Sequence, residues 1–124
     1  MCRILISINP CYVDRILNGK KKFEFRKRVG NRKITSLVIY CTFPVMKIVG
    51  EVEVKSILTL TPKDLWETTK EFSGVEKTFY DKYFYNKSIA YAYELGIVRK
   101  YIEPLDLFEF GVRVAPQSFI YLKN

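Results

Sequence analysis

The chain has 124 residues, 48% of them hydrophobic and 15% aromatic, with 21 Lys and Arg set against 13 Asp and Glu for a formal charge of +8. That length suits one domain with one closed core and leaves no room for a second. The sequence contains no histidine, which excludes His-based general bases, Ser/His and Cys/His nucleophile pairs and the ordinary His-containing metal sites.

Ile4, Ile6 and Ile8 alternate with Leu5 and Ser7, the pattern of a strand with one firmly buried face. A helix follows at once: Asn9 suits the N-cap and Pro10 the first helical position. Val13, Ile16 and Leu17 form its apolar stripe, and Gly19 can end it in the left-handed conformation. Phe23 and Phe25 then alternate with Lys22, Glu24 and Arg26, predicting a second strand with a polar outer face, closed by a turn over residues 29–33. A third strand is expected over residues 35–42, broken by Phe43-Pro44. A fourth runs over residues 48–60, with a bulge or bend at Gly50.

Thr61-Pro62-Lys63-Asp64 resembles a capping box that opens a short helix through Leu65, Trp66 and Thr69. Ser73-Gly74-Val75-Glu76 repeats the signal before Phe79, Tyr80 and Tyr83. Residues 86–101 fit either period; the β-branched and aromatic residues at every second place favour a strand, with a bulge at Gly96. Pro104, Gly111 and Pro116 punctuate a loop-rich tail, and residues 118–122 read as a closing strand. The order is that of an α+β fold with a mixed or mostly antiparallel sheet, whose edges a small barrel would bury.

Eight cations, Lys20, Lys21, Lys22, Arg26, Lys27, Arg28, Arg32 and Lys33, share a short segment with Glu24 as its one acid. Such an excess either keeps a solvated face soluble or attracts a polyanion. Cys2, Cys11 and Cys41 are odd in number and form no CxxC pair, so neither a disulfide framework nor a metal site is expected. Nothing approaches a membrane helix or a signal peptide, and a cytoplasmic location is the expectation.

Three parts of the chain carry a family resemblance. Ile6-Ser7-Ile8-Asn9-Pro10, followed by Gly19, Lys21, Glu24 and Arg26 in a G-x-K-x-x-E-x-R arrangement, is similar to the opening of ASCH domains. Gly50-Glu51-Val52 resembles that family's central strand, and Pro116-Gln117-Ser118-Phe119 its ending. The resemblance implies a PUA-like β-barrel of mixed or antiparallel strands with flanking short helices, and a cleft beside the first helix lined by the G-x-K segment. It further implies binding of RNA or modified nucleosides, with no cofactor. A subgroup hydrolyses the amide of acetylcytidine with a Lys, a Thr nucleophile and a Glu. Lys21 matches the lysine, Glu24 stands in the threonine's place, and Glu71 corresponds to the glutamate only through a loose alignment.

The residues themselves allow Arg26 to hold a phosphate while Glu24 accepts from a base amino group. They equally allow a cross-strand Glu24–Arg26 ion pair that only holds register. Lys20, Lys21, Lys22, Tyr40, Gln117 and Ser118 complete the predicted ligand set, with Trp66, Tyr91 and Tyr93 as further stacking candidates. The leading expectation is a binding module for RNA or a modified nucleotide. The alternatives are an amidohydrolase of acetylated cytidine or a metal-independent ribonuclease, with Lys21 and Glu24 catalytic, or a domain that senses a small nucleotide-like ligand.

Overall fold

The computed structural model describes residues 2–123. Six strands form one sheet in the order β2-β5-β4-β3-β1-β6. They are β1 (Arg3–Ile8), β2 (Phe23–Arg26), β3 (Ser36–Cys41), β4 (Lys47–Leu60), β5 (Ala90–Leu105) and β6 (Phe119–Tyr121), with helices α1 (Pro10–Leu17), α2 (Pro62–Thr69) and α3 (Lys77–Tyr83) between them. β1 runs parallel to β3 and every other pairing is antiparallel, so the sheet is mixed, as expected. It curls into a half-barrel that brings Arg26 of β2 to the Ser7 carbonyl of β1.

The alternation read in β1 is realised. Ile4, Ile6 and Ile8 join Leu37, Ile39, Val52 and Tyr93 in the interior core, where Val13 and Ile16 of α1 also lie. Burying one such side chain is worth roughly 1.5–3 kcal/mol, so this face alone fixes the seat of α1. Leu5, on the opposite face, packs with Val38, Tyr40 and Ile48 beneath the tail. A third cluster of Phe25, Ala90 and Ala92 is covered by Leu65 of α2 and by Tyr80 and Phe84 of the α3 region.

Asn9 caps α1 by accepting from the Cys11 amide at 3.2 Å. Gly19 leaves the helix at φ +81°, as its position predicts. Thr61 likewise caps α2 by accepting from the Asp64 amide. The registers of β4 slip at Gly50 against both neighbours and again opposite the Gly96 stretch of β5, so both predicted bulges are present.

Four expectations are corrected. Ser73 does not cap α3; the helix starts at Lys77 with Glu76 before it, because residues 73–74 are engaged elsewhere. β5 starts at Ala90 and continues through Pro104 to Leu105, where the sequence suggested that the tail had begun. β2 and β3 are not sheet neighbours: β2 is an edge strand paired with β5. Its polar face does not meet solvent either. Glu24 sits opposite Tyr93 in register, cross-strand partners share a face, and Tyr93 belongs to the interior core, so Glu24 and Arg26 turn inward while Phe25 turns out under α2 and α3.

Candidate functional site

Where the sheet curls round, its β2 edge comes back to β1. Arg26 spans the gap, donating from Nη2 to the Ser7 carbonyl at 2.9 Å while its Nη1 lies 3.5 Å from Ser118 Oγ. The same guanidinium holds one oxygen of Glu24 through Nε at 3.1 Å and Nη2 at 2.9 Å. This ion pair lies within β2, two residues apart, and is not the cross-strand pair considered from sequence.

Lys21 completes the set. Only 2% of it is exposed. Its ammonium donates to the Ser73 carbonyl at 2.8 Å, lies 3.8 Å from the other Glu24 oxygen, and sits 4.9 Å from the Phe25 ring centre and 5.6 Å from that of Tyr12. Burial lowers its pKa to about 8; the Glu24 carboxylate opposes that fall, while Arg26 and Arg15 add to it.

Local backbone explains why a lysine can be held there. The Lys21 amide donates to the Arg15 carbonyl at the end of α1, and the Lys22 amide to the Phe72 carbonyl. Arg15 donates in turn to the Gly74 carbonyl at 2.7 Å. Gly74 has φ +70°, and a Cβ there would run into the aliphatic stem of Lys21. The glycine read as part of a cap is therefore a point of close approach that admits the lysine.

These groups line one concave cleft of about 190 Å³. Ser7, Asn9 and Tyr12 form one side, and Phe79 and Tyr83 of α3 form an aromatic wall. Ser7 gives the cleft its carbonyl, since its hydroxyl donates to Pro116. Burial raises the pKa of the Tyr12 and Tyr83 hydroxyls, so both remain neutral donors near neutral pH.

A half-barrel with a cleft at the end of its first helix, lined by Lys21, Glu24 and Arg26, can now be set beside known proteins. The ASCH domain family model matches residues 6–103. The chain belongs to the ASCH family. Among solved ASCH structures, that from Zymomonas mobilis superposes with a TM-score of 0.89 at 26% identity, covering 98% of this chain and 87% of that one. A tyrosine-to-phenylalanine variant of it matches at 0.89 and 25%, covering 98% and 90%. A Zymomonas mobilis protein named an ASCH domain-containing ribonuclease is 28% identical over 97% of this chain and 84% of its own length. Large ribosomal subunit protein uL22 of Ureaplasma parvum is 30% identical over 97% of this chain, and ATP synthase subunit alpha of the same species 29%. This ASCH chain spans 39% and 15% of those two proteins.

Of the predicted site residues, Lys21, Glu24 and Arg26 converge. Gln117 and Ser118 lie beside the cleft, in an adjoining groove that Arg26 also lines. Lys20 is exposed and does not line the cleft. Lys22 points away and lies 4.7 Å over the Phe72 ring, because it precedes β2 and does not share the inward face. Tyr40 is 4% exposed and packs under the tail, and Tyr93 is 0% exposed in the interior. Glu71 is exposed in the short 3-10 turn Lys70–Phe72 and does not line the cleft. The aromatic rings that do line it are Tyr12, Phe25, Phe79 and Tyr83. Tyr12 could have been found one residue before the buried stripe of α1; nothing local in the sequence marks Phe79 or Tyr83.

Proposed function

We propose that this ASCH domain binds single-stranded RNA by taking one base into the Lys21–Glu24–Arg26 cleft. The observation that carries the reading is a carboxylate flanked by two cations inside an aromatic-walled hollow. Glu24 can accept from an exocyclic amino group, Lys21 and Arg26 can donate to carbonyl oxygens, and the rings of Phe79 and Tyr83 offer flat surfaces. A cleft of about 190 Å³ falls below the roughly 300 Å³ at which pockets for whole drug-sized ligands begin. It therefore suits a base with its sugar and phosphate outside. The ribonuclease relative supports RNA as the polymer.

Fluorescence anisotropy with a labelled single-stranded RNA octamer and a DNA duplex tests the proposal. Expected are several-fold tighter binding to the single strand, affinity that falls steeply with salt, and loss of the single-strand preference in Lys21→Met. Equal affinity for both polymers, or affinity indifferent to salt, would sink it.

Strand cleavage is a second reading, favoured by the pKa of Lys21 near 8. One unit below that value roughly a tenth of the amine is neutral. The neutral amine can take the proton of a ribose 2′-hydroxyl. The freed oxygen then bonds to the adjacent phosphorus, the 5′-oxygen departs and is protonated from water, and a 2′,3′-cyclic phosphate remains. Cleavage would rise through about pH 8 and vanish in Lys21→Met. Acetylcytidine turnover, lost in Glu24→Gln, would point instead to amide hydrolysis.

A further inference from the structure

The cleft shares Arg26 and Tyr83 with an outer groove of about 510 Å³, walled also by Lys27, Arg28, Gln117 and Ser118. The two hollows differ in electrostatics. Inside, the Arg26 charge is held by Glu24, and one further N–H of its Nη2 goes to the Ser7 carbonyl. Outside, among the described residues, no carboxylate lines the groove and neither Lys27 nor Arg28 forms an ion pair. The Lys27 ammonium rests 4.8 Å from the centre of the Tyr83 ring, at the rim where the two hollows meet.

A neutral base needs paired donors and acceptors, whereas a phosphate needs cations free of internal partners. The inner cleft has the first, the outer groove the second, and the inner volume leaves no room for a phosphate beside a base. We infer that the outer groove is a phosphate site for the nucleotide joined to the one in the cleft, so the ligand is a phosphate-bearing strand rather than a free nucleoside. The strand leaves the cleft past Tyr83 and crosses Lys27 and Arg28, with Gln117 and Ser118 donating to its phosphate oxygens. This inference rests on the cleft holding the base.

The experiment compares the unmodified protein, the Lys27→Met/Arg28→Met double variant and Lys21→Met. Each is titrated with a mixed-sequence single-stranded RNA octamer and, by NMR chemical shift, with the four ribonucleosides. The double variant is expected to bind the octamer about tenfold more weakly, with the slope of log K against log salt reduced by about 1.4 for two lost phosphate contacts. Nucleoside-induced shifts at Tyr12 and Phe79, which do not touch the replaced residues, should stay as they were. Unchanged octamer affinity and slope in the double variant, with binding lost in Lys21→Met, would overturn the groove and leave the cleft. An octamer indifferent to Lys21→Met, with no nucleoside shifts in the unmodified protein, would overturn both.

Discussion

Lys21 is the residue on which the site turns, and its protonation has a measurable thermodynamic signature. The folded protein releases the lysine proton near pH 8, while the unfolded chain keeps it to about 10.5. Between those values unfolding takes up a proton, so stability rises with pH; below about 8 the cost of a buried ammonium is fully present. Tyrosine acts with the opposite sign. Burial holds the Tyr93 hydroxyl protonated to about 12 against an ordinary 10.0, so stability is lost above pH 10. Denaturant titrations are thus expected to show a rise in stability between pH 8 and 10 in the parent that is absent in Lys21→Met. The Tyr93 hydroxyl is also buried without a hydrogen-bond partner among the described residues, a costly state for a donor. Tyr93→Phe should be neutral or stabilising by about 1 kcal/mol in urea unfolding, whereas a hydroxyl with a hidden role in the core would make the change destabilising.

At the level of elements, the connection between α2 and α3 holds the lysine in place. Ser73 offers its carbonyl to Lys21 and Gly74 its carbonyl to Arg15, while the positive φ of Gly74 and the stem of Lys21 against it leave no space for a Cβ. Gly74→Ala is predicted to destabilise by about 1–3 kcal/mol and to abolish the proposed RNA binding even where the fold survives. Thermal unfolding beside anisotropy would separate the two effects. The alternation of β1, the capped start and glycine end of α1, and the bulges at Gly50 and Gly96 were readable because each follows from local backbone chemistry. The role of Gly74 was not, because S-G-V-E carries the same letters whether it caps a helix or receives a lysine from 53 residues earlier in the chain. The spacing of Glu24 and Arg26 from Lys21 allowed them to lie together, but the direction they face depends on β2 lying at the sheet edge against β5. That is a long-range fact which period-two alternation does not contain. Two of the stacking candidates are core residues for a related reason: Tyr40 and Tyr93 carry the β-strand pattern that also marks a core.

For the molecule as a whole, Arg26 is the fastening between the first and last parts of the curled sheet, linking β2 to the Ser7 carbonyl of β1 and approaching Ser118 ahead of β6. Replacing it with Met leaves Glu24 with Lys21 alone and frees an edge strand paired only to β5. A loss of about 3 kcal/mol is expected for the broken buried pair, with amide hydrogen exchange accelerating first in β2 and remaining slow in β3 and β4. Uniform acceleration would mean the fastening is not local. The division of labour around the cleft has its own outcome. β2 and the turn before it supply its charges, whereas the chain following Phe72 supplies the carbonyl that orients the lysine and the rings of Phe79 and Tyr83 that bound the opening. Lengthening or shortening that connector would retune which molecules fit without disturbing the charged trio, making the barrel a constant chassis and the helical flank an exchangeable gauge of size.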